Sequence, residues 1–217
     1  MVDGSPMLRS NYPVMGDPAI LFRPELSNGK QALAKSKALF RKLHKMGLAE
    51  EFDKEIQKSV AERHIRFLSS SEEQELLNNW HCFSGLTYSI KASSSSQKIR
   101  PCCYSSVYHP SGSLNSHLPL GTNLINSMVK ILTQFRLNPF CVAVDLHRCY
   151  RSMKSDWTGS RLRATYYPSN PSDPNCNVYK IFVYERVSYG DSLAACLLEI
   201  MMRLFIAPAC KSEAGPS

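Results

Sequence analysis

Asp145 is the residue whose surroundings predict chemistry most directly. It follows the apolar run at residues 139–144 and precedes a stretch that turns polar and basic at His147. A short run of β-prone apolar side chains is typical of a strand buried on both faces, since a helix would need a longer run with a 3.6-residue period. A carboxylate at the end of such a strand needs a cationic partner, because an isolated buried acid would protonate. A divalent metal is one such partner.

Basic and aromatic residues accompany Asp145 on both sides. Tyr150 follows it by five positions. Upstream, two β-prone stretches flank the serine run at residues 93–96, which predicts a β-hairpin with Lys91 and Arg100 near its tip. Taken alone, two basic residues beside a turn are most simply explained as a solvated surface.

The order of these segments resembles a known family. Asp145 with Tyr150 resembles motif A of reverse transcriptases, and the surroundings resemble the Bel/Pao type of LTR retrotransposon. The order and spacings hold over residues 26–203, where the matching segments are Lys98-Ile99-Arg100, Ser113-Leu114-Asn115, a leucine-rich helix and the strand before Asp145. The resemblance implies the fingers and the first half of the palm of a right-hand polymerase.

The resemblance also implies a role for each candidate residue. Asp145, with the backbone carbonyl of Leu146, would hold magnesium (Mg2+), which prefers hard oxygen ligands. Tyr150 would be the steric gate that excludes a ribose 2′-hydroxyl. Lys91 and Arg100 would bind the triphosphate of the incoming nucleotide, and Arg100 is the stronger candidate because a guanidinium binds phosphate oxygens bidentately.

Two further segments would contact nucleic acid in such a protein. Arg148, Arg151 and Lys154 follow the motif A segment with little opposing charge, and they would track a template or primer backbone. Tyr189 and Gly190 resemble the start of motif B, where the glycine lets the backbone approach the nascent base pair. The expected partners are therefore an RNA or DNA template-primer and a deoxynucleoside triphosphate (dNTP).

The chain departs from the family pattern at several positions. Tyr104 stands where the family usually has an aspartate, and Pro101 removes a backbone donor from the same strand, which must then be an edge or start late. Asp191 places an acid beside the segment expected to hold nucleic acid. The sequence has no Asp-Asp dipeptide and no aspartate after Asp191. A single carboxylate cannot organise two magnesium ions, so we expect the chain to be inactive alone, as a truncated piece of a polyprotein or a relic.

Hydrophobic periodicity predicts the other elements. A flexible leader is expected at residues 1–24, followed by helices at 27–46 and 49–63. Residues 122–136 carry apolar side chains on one helical face, which predicts an amphipathic helix packed in the core. The further strands are expected within residues 80–91, ending at 166–167, and at 178–184.

These elements predict an α+β fold in the form of a partial right-hand polymerase. The expected organisation is a leader at 1–24, an N-terminal helical pair within 25–78, and fingers with the first half of the palm at 79–217. The helix at 27–46 contains six basic residues and no acid. It therefore suits nucleic acid, although a solvated charged face would have the same composition.

Composition supports a polyanion partner without requiring one. Lysine and arginine total 26 against 18 acids, a formal net charge of +8 over 217 residues. The alternative to a polymerase segment is therefore a basic module that binds nucleic acid without chemistry.

The cysteines and the apolar tracts bear on location. The eight cysteines are scattered without a Cys-x-x-Cys pair, so we expect free thiols. The chain opens without a signal-like segment, and the longest apolar tract, at 193–206, is interrupted by Glu199 and Arg203. These features predict no membrane partner and an intracellular protein, cytoplasmic or nuclear.

Overall fold

The computed structural model shows an α+β protein. It describes residues 9–10, 13–17, 19, 21, 23–92, 97–122, 127–137, 139–142 and 149–212. The helices are α1 (Gly29–Lys45), α2 (Ala49–Ala61), α3 (Ser70–Asn79), α4 (Leu114–His117), α5 (Met128–Leu137), α6 (Trp157–Arg161) and α7 (Ala194–Ser212). The strands are β1 (Arg9–Ser10), β2 (Ile65–Phe67), β3 (Gly85–Ala92), β4 (Gln97–Tyr104), β5 (Lys154–Ser155), β6 (Thr165–Pro168) and β7 (Tyr179–Tyr184). Short 3₁₀ turns lie at Pro24–Leu26 and Cys149–Ser152.

The described strands form three small sheets. β3 and β4 make the predicted antiparallel hairpin, in which Ser89 lies opposite Arg100. β7 is the centre of a second sheet and pairs antiparallel with both β2 and β6, while β1 and β5 form a parallel pair. β4 pairs only with β3 among these strands, which confirms that the strand containing Pro101 is an edge.

The two N-terminal helices form as their periodicity predicts. Gly47, with φ of +68°, follows α1 in the left-handed conformation that commonly ends a helix. The Phe40 ring of α1 packs edge-to-face on Phe52 of α2 and on Tyr167 of β6, with centroids 5.8 Å and 5.2 Å away. The Tyr167 hydroxyl donates a hydrogen bond to Asp53 at 2.7 Å. The helical pair is thereby attached to the central sheet.

The expected boundary between residues 25–78 and 79–217 does not separate two independent parts of the fold. β2, which lies inside the segment 25–78, pairs with β7, so this segment and the rest of the chain share one sheet. The leader also differs from the expectation of a flexible segment where it is described. β1 pairs with β5, and Leu21 is fully buried.

Asn28 connects the start of α1 to the segment before the hairpin. Its side chain is buried, its Nδ2 donates to the Phe83 carbonyl at 2.9 Å, and its Oδ1 accepts from the Phe83 backbone N–H at 2.7 Å. One side chain thus satisfies both backbone polar groups of Phe83, which is itself buried.

Two apolar segments near Asp145 differ from the prediction. Residues 139–142, the described first part of the expected buried strand, form no strand, and Phe140 and Val142 are 89% and 83% exposed. α5 begins at Met128 in the described part of the predicted helix, and its residues Leu132 and Phe135 are exposed where a core position was expected. The apolar pattern correctly predicted a helix, but it did not predict which surface, if any, covers the helix's apolar face.

The strands β6 and β7 occupy their predicted positions. Trp80 and Phe83 are core residues. Arg203 and Glu199 form an ion pair at 3.1 Å on α7. The seven cysteines whose side chains are described are free thiols. Where the chain is described, its helices lack the combination of length and apolar character that a bilayer crossing requires.

The Asn28 bridge predicts a specific loss of stability. Asn28→Ala leaves two buried backbone groups unpaired, so we expect the free energy of unfolding to fall by about 2–4 kcal/mol. The measurement is urea denaturation followed by circular dichroism, with Gln31→Ala on the exposed side of α1 as the control, expected to change stability by less than about 0.5 kcal/mol. Equal losses in the two variants would contradict the bridging role.

Candidate functional site

The turn that carries Gly190 packs closely against the end of β4. Gly190 has φ of +108°, and a Cβ atom at this position would collide with the Cys103 carbonyl oxygen. Only glycine combines this backbone conformation with such a close approach. The described close approach of Gly190 is to the backbone of this chain, and the approach to a nascent base pair stays a prediction.

Asn115 joins three of the segments on which the family resemblance depends. Its Nδ2 donates to the Gly190 carbonyl at 2.9 Å and to the Ser106 hydroxyl at 3.1 Å. Its Oδ1 accepts the Ser192 backbone N–H at 2.9 Å. The Ser113-Leu114-Asn115 segment, the end of the hairpin and the motif B-like turn thus meet at one amide side chain.

Tyr150, the predicted steric gate, lies beside the same turn. Its ring contacts the Tyr189 ring edge-to-face, with centroids 4.9 Å apart and an interplanar angle of 72°. Burial, with smaller contributions from Cys149 and Tyr189, raises the pKa of Tyr150, so its hydroxyl stays protonated at neutral pH. The structure therefore brings Tyr150 next to the turn at Tyr189 and Gly190, although Tyr150 is distant from both in sequence.

Asp191 is not an acid facing a nucleic-acid site. Its side chain and that of Arg163 are both fully buried, with Arg163 Nη1 and Asp191 Oδ2 3.6 Å apart. Asp191 also accepts a 2.5 Å hydrogen bond from the Ser105 hydroxyl. Arg163 donates further to the carbonyls of Tyr184 and Arg186. The acid that the sequence places beside the segment expected to hold nucleic acid is therefore buried and neutralised by a cation from another segment.

The hairpin presents Lys98 and Arg100 to solvent. Arg100 and Lys98 are exposed two positions apart on β4, and therefore lie on the same face of the hairpin. Lys91 pairs in register with Lys98 on the neighbouring strand. On α1, the Lys35 ammonium lies 4.5 Å from the centroid of the Tyr104 ring, the residue that replaces the usual aspartate. These contacts place cations on the hairpin face. No carboxylate takes part in these described contacts.

The basic residues predicted to track a nucleic-acid backbone mostly make contacts within the protein. Arg151 Nη1 donates to the Ser59 hydroxyl at 3.1 Å and lies 3.0 Å from His64 Nδ1. Lys154 is half-buried in β5, and Arg161 lies over the Trp80 ring at 5.1 Å. These placements leave less free cationic surface than the sequence suggested for tracking a nucleic-acid backbone.

The predicted metal ligands lie outside the described residues. This holds for Asp145, Leu146 and also Arg148, so the structure does not place them. Within the described ranges, no three His, Cys, Asp or Glu side chains lie close enough together to hold a metal ion. In its donor chemistry Asp145 suits magnesium, but this segment supplies one carboxylate where a two-metal site needs more.

Comparisons with known proteins do not assign a family. No protein-family model matches this chain, and no curated protein is significantly similar to it.

No local pattern in the sequence predicts the polar contacts that assemble the site. Asn115 stood in a segment of the family resemblance, but nothing local indicated its contact with Gly190, 75 positions away. Arg163 stands between Leu162 and Ala164, which is a local hint that it is buried, whereas Asp191 lies between Gly190 and Ser192 and has no such hint.

The buried ion pair predicts a large effect of Asp191→Ala. Removing one partner leaves a buried, uncompensated guanidinium, so we expect the free energy of unfolding to fall by about 3–5 kcal/mol. Glu199→Ala, which breaks the more exposed pair with Arg203, is the control and should cost less than about 1 kcal/mol. Thermal and urea denaturation measure both, and a loss below about 1 kcal/mol for Asp191→Ala would contradict a stabilising role of the buried pair.

The loop before Asn115 contains a buried histidine. His109 Nδ1 lies 2.6 Å from the Ser111 hydroxyl, and its buried Nε2 has no hydrogen-bond partner among the described residues. Burial, with a contribution from His117, lowers the pKa of His109. The folded state therefore binds fewer protons than the unfolded state just below the ordinary histidine value.

This histidine predicts that stability decreases in mild acid. Above about pH 6.5 the neutral form of His109 is favoured in both the folded and the unfolded state. Below that pH the unfolded state protonates first, so the folded state loses stability relative to it as the pH falls. We expect His109 to add up to about 1.4 kcal/mol per pH unit to this decrease. Urea denaturation at pH 7.5 and pH 5.5 measures it, and His109→Gln should show a smaller pH dependence. Identical slopes would refute the assignment.

Proposed function

We propose that this chain is the nucleotide- and template-binding part of a reverse-transcriptase-like polymerase. The observation that carries the proposal is the junction at Asn115, which joins the end of the hairpin to the turn at Gly190. In the resembled family, these segments surround the nascent base pair. The contact between Tyr150 and Tyr189 supports the same arrangement.

The proposal gives each residue a distinct task. Arg100, with Lys91, would bind the triphosphate of the incoming dNTP from the hairpin face. Tyr150 would lie under the sugar, where its ring would collide with a 2′-hydroxyl. Gly190 would hold its turn close to the template base. Each task follows from the resemblance, and the exposure of Arg100 on β4 leaves it accessible for this role.

Catalysis requires carboxylates beyond Asp145. Magnesium, where bound, would activate the primer hydroxyl and stabilise the leaving pyrophosphate. Asp145, with the Leu146 carbonyl, would supply oxygen ligands to it. We therefore propose that this chain provides part of the site, and that strand synthesis depends on carboxylates from the rest of a polyprotein.

The proposal predicts magnesium-dependent dNTP binding to this chain. Arg100→Ala removes a bidentate phosphate contact and should weaken dNTP binding about tenfold or more. Asp145→Ala should abolish the difference in affinity between magnesium and EDTA. The measurement is isothermal titration calorimetry with dTTP, and Lys54→Ala, an exposed lysine on α2, is the matched control. An affinity for dTTP that is unchanged by EDTA, by Asp145→Ala and by Arg100→Ala would refute the polymerase proposal.

A second candidate function is supported by the exposed face of α1. Lys30, Lys35, Lys42 and Lys45 are all exposed on this helix. The ammonium of Lys42 lies 5.3 Å from the Tyr88 ring, and that of Lys35 lies over Tyr104. Exposed cations interleaved with tyrosine rings suit a single-stranded nucleic acid, where phosphates and bases are both accessible. A basic module of this kind would bind without magnesium.

The two candidates are separated by salt and metal dependence. Replacing the four α1 lysines with glutamine should weaken binding of a single-stranded oligonucleotide, and the slope of log affinity against log salt should fall by about 3. Fluorescence anisotropy in EDTA measures this. Binding that persists in EDTA, is unchanged by Asp145→Ala and is lost with the α1 lysines would favour the module. Unchanged binding without these lysines would exclude it.

A further inference from the structure

A cavity of about 300 Å³ lies between α1 and the loop that joins β6 to β7. Its volume is at the lower end of the range for small-molecule sites and exceeds what an inorganic anion alone would fill. None of its lining residues belongs to the hairpin, the Asn115 junction or the motif A segment. The inference drawn from it therefore does not rest on the polymerase proposal.

The loop that forms one wall is held by its own hydrogen bonds. The Ser169 backbone N–H donates to the Val178 carbonyl at 2.9 Å, which closes the base of the loop. Within the loop, the Cys176 N–H donates to the Asp173 carbonyl at 3.1 Å, and the Asn175 N–H donates to Asp173 Oδ1 at 2.9 Å. The wall is therefore preformed, which reduces the entropy cost of binding a ligand.

The helix wall of the cavity is cationic. Lys37 and Arg41, one turn apart on α1, both line it, and Asp173 is the acidic side chain in the lining. The Arg41 Nε donates to the Lys37 carbonyl at 3.4 Å, which directs the guanidinium back along the helix. Two cations against one carboxylate favour an anion, and a guanidinium beside an ammonium is well suited to phosphate.

The remaining walls are aromatic and amide in character. Tyr179 lies under the Lys37 ammonium, with 5.7 Å between the nitrogen and the ring centroid. Burial, with the nearby Cys176, raises the pKa of Tyr179, so its hydroxyl stays available as a donor. Asn175 and Asn177 also line the cavity, and carboxamides can pair with the donor and acceptor edges of a base.

We propose that this cavity binds a nucleoside 5′-phosphate, with the phosphate between Lys37 and Arg41 and the base against Tyr179 and the two asparagines. Cations alone would accept any anion, while the flat aromatic wall and the amide groups together select a planar heterocycle. The same chemistry is offered by a free mononucleotide and by the 5′-phosphorylated end of a single strand. These are two sources of one ligand group.

The test uses the full chain and calorimetric titration with AMP in EDTA. We expect AMP to bind at least tenfold more tightly than either adenosine or inorganic phosphate. The double variant K37Q/R41Q should weaken AMP binding at least tenfold, while Lys54→Gln, at an exposed lysine of α2 outside the cavity, should change it less than twofold. Circular dichroism confirms that each variant is folded.

A second measurement works on the unmodified chain. Cys176 lines the cavity and donates to the Val178 carbonyl at 3.2 Å. Slight burial tends to raise the pKa of Cys176, but hydrogen bonds from the Asn170 backbone and the Ser169 hydroxyl outweigh it and lower the pKa. Saturating AMP should slow alkylation of Cys176 by iodoacetamide at least fivefold, read by peptide mass spectrometry. Exposed Cys141 is the internal control and should react at an unchanged rate.

The outcomes separate the two sources and can overturn the proposal. Protection of Cys176 by both AMP and a 5′-phosphorylated oligothymidylate, but not by the unphosphorylated strand, would assign the site to strand ends. Protection by AMP alone would assign it to free nucleotides. Absence of AMP binding at millimolar concentration, or equal binding by wild type and K37Q/R41Q, would overturn the proposal. None of these outcomes changes the dNTP result expected for Arg100→Ala.

Discussion

The buried ion pair between Arg163 and Asp191 is the interaction on which the arrangement of the central elements depends. A guanidinium without access to water must place its N–H groups on acceptors, since the cost of desolvating each ion is several kcal/mol. Arg163 forms an ion pair with the Asp191 carboxylate and donates hydrogen bonds to carbonyls of α6, of β7 and of the residues after β7. These elements must therefore converge on one point, and few other arrangements of the chain would satisfy the charge.

The candidate site follows from this convergence. Asp191 holds the turn beside it, so that Gly190 lies against β4 and Asn115 can bond to both sides of the contact. The acid that appeared in the sequence as an obstacle to nucleic-acid binding is neutralised in the interior. Its position next to Gly190 supports the proposed function, because it stabilises the turn and does not repel a phosphate.

Arginine and lysine have different places in this structure. The described arginines 151, 161 and 163 donate to backbone and side-chain acceptors or lie over tryptophan rings, where a planar fork loses little on burial. The lysines of α1 remain mostly in solvent, where a strongly hydrated ammonium is favoured. The net charge of +8 is therefore not spread evenly over the surface. Among the described residues, the exposed basic side chains are concentrated on α1 and the hairpin. The proposed dNTP-binding face and the proposed single-strand-binding face both lie there.

The sequence by itself determined the features that depend on neighbours along the chain. The spacing of apolar residues marked α1 and α2, the polar run marked the hairpin, and Pro101 marked an edge strand, because each pattern reflects local backbone geometry. Only the tertiary structure decided the pairing of Arg163 with Asp191 and the contacts of Asn115. It also decided the exposure of Phe140, since an apolar run indicates that a segment can be buried but not which surface covers it. Contacts between distant segments depend on how whole elements pack, and no local pattern encodes that.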